Sequence, residues 1–224
     1  MNYGRALNIK DFRELLKCGD RELDREYYDI FQSFAKRVDY SNAYFQAYEE
    51  SASPEAIAHD YDTDWVRSKE PVKDYRLYYE AHALAFLQNI HALCDTVPYA
   101  VNRILLREKT GDFIKWDKKF IASISKHKKY GKEKEFVAAL DAFMRKDDFL
   151  RLKAYVNKAK HQHLVTVKND RTTLTFSDFS YPLYNAKKEK GIAKGEKVEE
   201  FMLRVHNTLI NDLIYIYNYM YQIV

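Results

Sequence analysis

Residues that interrupt helices are scarce in this sequence. Its 224 positions hold only 6 Gly and 4 Pro, whereas β-sandwiches and barrels need a turn residue at roughly every tenth position. Apolar residues also recur at helical spacing. The clearest stripe lies near the C-terminus and consists of Val198, Met202, Val205, Leu209, Leu213, Ile216 and Met220. These two features predict an all-α fold, namely a helical bundle.

Two places depart from this pattern. In the most apolar interior helix, within 72–108, Pro98 removes one backbone hydrogen bond and is expected to kink or break the helix. At about 164–176, two β-branched runs flank the polar residues 168–171, which is the pattern of a hairpin. We therefore expect a small two-stranded β-hairpin insertion in the bundle, followed by a polar, lysine-rich loop at 185–197.

The length and composition fit a single all-α domain spanning residues 1–224. Aromatic residues make up 15% of the chain, whereas disordered chains are poor in aromatics. A domain takes roughly 100 to 200 residues, so one unit is expected. Within it we distinguish N-terminal acidic helices at 1–70 from a bundle at 72–224.

Several classes of protein are disfavoured by what the sequence lacks. The two cysteines, Cys18 and Cys94, are far apart and form no disulfide framework or CxxC motif. The longest apolar stretch, 213–224, is shorter than the roughly 20 residues that span a bilayer, and no signal peptide is evident. No GxxxxGK, GxSxG or HExxH motif occurs. We expect a cytoplasmic protein with no membrane partner, no metal site and no cofactor.

Charge is distributed unevenly along the chain. Residues 1–80 contain 12 Lys and Arg against 17 Asp and Glu, a net charge of −5. Residues 81–224 contain 25 against 16, a net charge of +9. A polyanionic partner is therefore expected to bind the second half.

A line of polar residues runs along the apolar helix. Gln88, His91 and Asp95 recur at spacings of three and four and share one helix face, and Asn102 lies one heptad beyond Asp95. Buried polar groups must find partners, because an unsatisfied one costs about 1–3 kcal/mol. The line is either a satisfied structural network or the supporting wall of a polar pocket.

A second cluster ends a later helix. Asn157 and His161 lie one turn apart, Lys158 and Lys160 flank them, and His163 follows. The histidine could titrate near neutral pH while the lysines hold an anion. The alternative is a helix C-terminus that carries cations because the helix dipole favours them there.

A third cluster is a lysine-rich turn. Lys126, Lys128 and Lys129 could contact phosphates, and the adjacent Tyr130 could stack on a base. The alternative is a solvated loop, since such runs are common on protein surfaces. Nucleic-acid binding and simple solubility are both open for this turn.

The run VNKAKH at 156–161 resembles the core motif of the HEPN superfamily. That motif is an arginine, usually followed by a polar residue such as Asn, and then a histidine four to six residues later. The resemblance implies a helical bundle that is commonly a dimer, in which Arg and His of facing protomers cleave RNA without a metal. It also implies that many members have lost cleavage and bind RNA or act as interaction modules.

The match to this motif is incomplete at one position. His161 takes the place of the family histidine and Asn157 that of the polar residue, but Val156 stands where the arginine would be. Valine cannot stabilise the charge that develops during phosphoryl transfer. We therefore predict a degenerate HEPN-like protein that binds RNA or other nucleic acid without catalysis, with His161 as its one catalytic candidate and a homodimer as a possible assembly.

Two other functions compete with this prediction. The first is an enzyme, either a residual ribonuclease using His161 or a Mg²⁺-dependent nucleotide hydrolase. The second is a protein–protein interaction module, for example one half of a defence or toxin–antitoxin pair, with the tyrosine-rich tail at 215–221 as its partner surface. The hydrolase would use the carboxylates Glu196, Glu199, Glu200 and Asp212.

Overall fold

The helices form where apolar residues recur at helical spacing. A computed structural model describes residues 9–63, 75–107, 114–162, 164–184 and 190–224. In these residues the chain is an all-α bundle with small β-ribbons, as predicted. The helices are α1 (Ile9–Leu16), α2 (Arg21–Ser51), α3 (Pro54–Thr63), α4 (Tyr75–Val101), α5 (Lys118–Lys126), α6 (Lys134–Arg145), α7 (Asp147–His161) and α8 (Val198–Ile223).

Polar side chains mark where the helices begin. The Asp20 carboxylate accepts the backbone N–H groups of Glu22 and Leu23 at 3.0 and 3.2 Å, which caps α2. At α3, the Ser53 hydroxyl accepts the N–H of Ala56 at 3.2 Å. Pro54 takes the first helical position, where the missing N–H of proline costs nothing.

Helix α4 does not end at Pro98, so of the predicted kink or break the break is wrong. The helix continues to Val101 and then becomes a π-turn over Asn102–Leu106, which ends at Arg107. Proline at 98 leaves the Cys94 carbonyl without its usual helical donor. The Trp116 indole N–H donates to that carbonyl at 2.8 Å. A side chain thus replaces the backbone hydrogen bond, and the helix can pass through the proline.

The strands form two antiparallel ribbons. Strands β1 (Val167–Asn169) and β2 (Leu174–Phe176) pair in the predicted hairpin. Strands β3 (Phe179–Pro182) and β4 (Lys190–Ala193) form a second ribbon, so the loop predicted at 185–197 is wrong at 190–193. A Cβ atom at Gly191 would lie 2.5 Å from the Tyr181 ring. The Tyr181 ring lies over Gly191, so a larger residue at this position would require that ring to move.

The chain divides into two compact units. The first unit comprises Met1–Val38, Ala92–Phe149 and Asn207–Val224, and the second comprises Asp39–His91 and Leu150–His206. The single domain over 1–224 stays a prediction. None of the helices in the described part of the chain has the length and hydropathy that a membrane span needs.

Aromatic side chains build the core of each unit. In the first unit the ring centroids of Phe12 and Phe31 lie 4.8 Å apart, and those of Phe34 and Tyr217 lie 4.7 Å apart. The core of the second unit includes Phe45, Phe86, Tyr155, Phe176 and Phe201, with 4.9 Å between the Tyr155 and Phe176 centroids. Such rings bury large apolar areas, which stabilises both units.

Gly131 lies in a tight turn of the first unit. A Cβ atom there would collide with the backbone carbonyl oxygen of Ser125. We expect Gly131→Ala to lower the free energy of unfolding by about 1–3 kcal/mol, because the backbone has to move to admit a methyl group. Gly195→Ala is the control, since the nearest atom to its Cβ would be 3.5 Å away. Chemical denaturation of both variants tests this, and equal stabilities would contradict it.

Candidate nucleic-acid interface

Helix α7 has one buried face and one polar face. Phe149, Leu152, Tyr155 and Val156 are buried. They are spaced by one to four residues and therefore share one side of the helix. Asp147 and Asp148 lie in the first turn and the cations in the last, as the helix dipole favours.

The polar face carries a row of cationic and amide side chains. Lys153, Asn157, Lys160 and His161 are separated by four, three and one positions and lie on one side of α7. We call these four residues the α7 stripe. Asn157, Lys160 and His161 are exposed and Lys153 is half-buried, as is the neighbouring Lys158. Lys153 was not predicted from the sequence, although its position one helical turn before Asn157 indicates that it lies on the same face of α7.

His91 of α4 lies beside this stripe. It is buried, with 5% of its surface exposed. Burial, together with the nearby positive charges of Lys160 and Lys153, lowers the pKa of His91 to about 4. The imidazole is therefore neutral at neutral pH. One member of the predicted polar line is thus within electrostatic reach of the predicted cluster.

The other members of the polar line are distributed differently. Gln88 is half-buried in the second unit, whereas Asp95 and Asn102 belong to the first unit, half-buried and buried respectively. Sequence reasoning missed the neighbouring Asn89, which is buried and donates to the Ser41 hydroxyl at 3.1 Å. The sequence feature that could have indicated Asn89 is its position three residues after the core residue Phe86.

Val156 occupies the position at which the HEPN motif has an arginine, and this position faces the core. Val156 has no exposed surface, so the helix directs that position away from solvent. His161 is exposed and makes no hydrogen bond within the described part of the chain. His163, which was predicted to take part in binding, lies outside the described residues.

The lysine-rich turn belongs to the first unit. Lys126, Lys128 and Lys129 are exposed, as phosphate contacts require. Tyr130 is only 6% exposed and stacks on His127, with 5.0 Å between ring centroids. The ring is engaged within the protein, and the stacking role of Tyr130 stays a prediction.

The carboxylates proposed for a Mg²⁺ site are largely engaged by cations. Glu196 pairs with Arg204 and lies 3.7 Å from Arg151. Asp212 pairs with Lys146, and Glu200 with Lys197 at 2.8 Å. Glu199 is exposed. Within the described residues no group of three or more His, Cys, Asp or Glu side chains could hold a metal ion.

The tyrosine-rich tail is partly a core element. Tyr217 is fully buried, and Tyr219 stacks on Phe136 with 5.5 Å between ring centroids. Tyr215 and Tyr221 are exposed. The tail therefore offers solvent a smaller tyrosine surface than its sequence indicates.

Comparison with known proteins gives no relative. No protein-family model, no curated protein and no solved structure matches this chain. The resemblance to HEPN proteins rests on the run at 156–161.

Proposed function

We propose that this chain binds RNA or another nucleic acid through the α7 stripe without cleaving it. The observation that carries the proposal is the exposed row of Asn157, Lys160 and His161 at the end of α7, with Lys153 and Lys158 beside it. Lysines contribute to nucleic-acid affinity by neutralising phosphates and releasing counterions. The exposed amide and imidazole offer hydrogen bonds to phosphates, sugars or bases.

Three features favour binding over cleavage. Val156 is buried and supplies no cation. Both ring nitrogens of His91 are buried, and the neutral imidazole has no route to a substrate. General acid–base cleavage of RNA needs groups that reach both the attacking and the leaving oxygen. His161 is the one exposed imidazole on the stripe, so the arrangement suits a binding module.

The resemblance also implies an assembly and a compartment. We propose a homodimer, because HEPN-like proteins commonly pair. We propose a cytoplasmic location, because both cysteines are free thiols, with Cys18 exposed and Cys94 buried.

Removal of two charges from the end of α7 tests the interface. We expect Lys158→Gln with Lys160→Gln to reduce the slope of log affinity against log salt by about 1.4, since each contact with a single strand contributes about 0.7. At about 0.1 M salt this is a loss of roughly 25-fold. Fluorescence anisotropy with a labelled single-stranded RNA at several salt concentrations measures both quantities.

The matched control removes the same charge elsewhere. Lys10→Gln with Lys36→Gln changes two exposed lysines of the first unit that are not candidates for phosphate contact, and it is expected to leave the slope nearly unchanged. Equal losses in the two double variants would show a diffuse charge effect rather than an α7 interface. Absence of RNA binding at low salt would overturn the proposal, and product formation lost in His161→Ala would establish cleavage instead.

A further inference from the structure

A polar recess lies in the first unit, where the start of α2 meets the end of α4. It is a cleft of about 410 Å³, within the roughly 300–1,000 Å³ that small-molecule sites occupy. The start of α2 contributes Asp20, Glu22 and Glu26 to one wall. The other wall is formed by Tyr99 at the end of α4, Arg103 in the π-turn and Arg107 directly after it. The cleft therefore has an acidic and a basic wall.

One pair of charges across the cleft is already matched. Glu26 accepts hydrogen bonds from Arg103 Nε at 2.6 Å and from the Tyr99 hydroxyl at 2.5 Å. The hydrogen bond from Arg103 lowers the pKa of Glu26, so the carboxylate stays ionised. These hydrogen bonds join the two walls of the cleft, and the charges of Glu26 and Arg103 neutralise each other.

Charges on both walls remain for a ligand. Arg107 is exposed, and in the described residues it makes no ion pair or side-chain hydrogen bond. The Glu22 carboxylate on the opposite wall likewise has no such partner within those residues. Asp20 uses Oδ1 to cap α2, which leaves Oδ2 available. A ligand that carries both a positive and a negative group would complement both walls.

A nearly buried tyrosine whose hydroxyl opens into the cleft gives a second, independent sign of a ligand. Tyr27 lines the cleft although only 3% of its surface is exposed. Its hydroxyl has no hydrogen-bond partner among the described residues, and it is not one of their fully buried unpartnered atoms. The hydroxyl is therefore accessible from the cleft and free to bond a ligand there. Burial raises the pKa of Tyr27, so the hydroxyl stays protonated and can donate.

Backbone geometry supports the same site. Arg107 adopts a left-handed conformation with φ of 54° directly after the π-turn. Non-glycine residues rarely adopt this conformation, and both π-turns and strained residues concentrate at functional sites. The π-turn therefore presents Arg107 to the cleft at the cost of local strain.

We propose that this cleft binds a small zwitterion of the free α-amino-acid class with an apolar side chain. The carboxylate pairs with Arg107 and accepts the Tyr27 hydroxyl, and the ammonium group lies against Glu22 and Asp20. The apolar side chain packs on Leu23 and the ring of Tyr99, which also line the cleft. This site belongs to the first unit and does not depend on the nucleic-acid proposal.

Three related probes test the requirement for both charges. The probes are L-phenylalanine, N-acetyl-L-phenylalanine, which lacks the ammonium group, and L-phenylalaninamide, which lacks the carboxylate. By isothermal titration calorimetry we expect L-phenylalanine to bind at least about tenfold more tightly than either blocked form, because each loses a charge-assisted contact. No binding of L-phenylalanine, or equal binding of the three, overturns the proposal.

Substitutions connect the binding to the cleft. Arg107→Gln is expected to weaken L-phenylalanine by about tenfold or more while leaving the carboxamide unchanged, since the carboxamide has no carboxylate to lose. Arg25→Gln is the control, because Arg25 is exposed on α2 and does not line the cleft. Full affinity in Arg107→Gln, or equal losses in both variants, overturns the proposal. The α7 double variant retains L-phenylalanine binding whether or not RNA binds.

Discussion

Trp116→Ala will lower the free energy of unfolding by about 3–5 kcal/mol, as expected when a buried aromatic side chain is truncated. The indole ring is 3% exposed and lies 4.9 Å from the Phe143 ring and 5.5 Å from the Phe120 ring, measured between centroids. Truncation leaves a cavity among these rings. Since small proteins are stable by about 5–15 kcal/mol in total, the variant would lose a large share.

A conservative variant separates packing from hydrogen bonding. Trp116→Phe keeps a ring but removes the N–H that donates to the Cys94 carbonyl. An unsatisfied buried carbonyl costs about 1–3 kcal/mol. In a Pro98→Ala background, the backbone N–H of residue 98 can donate to the Cys94 carbonyl. Trp116→Phe should then lower the free energy of unfolding by about 1 kcal/mol less than it does in the parent. This difference is the coupling between the proline and the indole.

Urea unfolding followed by far-UV circular dichroism measures these effects, because the signal does not depend on the tryptophan. Measuring the coupling between Pro98 and Trp116 needs four proteins: the parent, Trp116→Phe, Pro98→Ala and the double variant. Trp116→Ala unfolding within about 1 kcal/mol of the parent would contradict the packing argument. Exact additivity of the two substitutions would contradict the shared carbonyl.

Acidification will destabilise the protein through His91. The pKa of His91 is about 4 in the folded chain, below the value of about 6.5 in an unfolded chain. Protons therefore bind preferentially to the unfolded state. The contribution of neutral His91 to stability is complete above about pH 6.5. It is lost as the pH falls, and the loss is about 3 kcal/mol at pH 4.

A neutral replacement isolates this contribution. In His91→Gln the group that titrates is absent, so the loss of stability between neutral pH and pH 4 should be about 3 kcal/mol smaller than in the parent. Both proteins share all other titrating groups, including Lys153 and Lys160. Unfolding free energies of the two proteins across this range provide the test, and parallel pH profiles would rule out a buried neutral His91.

The long helices could be predicted because their signals are local. The apolar stripe of α8 needs only the sequence of that segment, and Ser53 with Pro54 marks the start of α3 in the same way. The second ribbon could not be predicted so simply, because β3 (FSYP) and β4 (KGIA) contain only one β-branched residue, Ile192. Their pairing brings Gly191 against the Tyr181 ring, which a local pattern does not reveal.

The candidate interface was predictable in part for the same reason. The spacing of Asn157 and His161 places them on one helix face whatever surrounds the helix. The proximity of His91 to Lys153 and Lys160 depends on how α4 and α7 pack, and spacing along one helix cannot show it. The burial of Tyr130 likewise results from contacts that its lysine-rich neighbourhood does not indicate.

The π-turn has a consequence for the history of the chain. A π-turn holds one residue more than an α-helical turn, so it is equivalent to a single-residue insertion in a helix. Deleting one residue from Asn102–Leu106 would restore α-helical spacing and rotate every later position by about 100° around the axis. Arg107 would then leave the cleft wall. A one-codon change in length could therefore create or erase the proposed ligand site, together with a repacking of Ile104 and Leu105, which are buried in the π-turn.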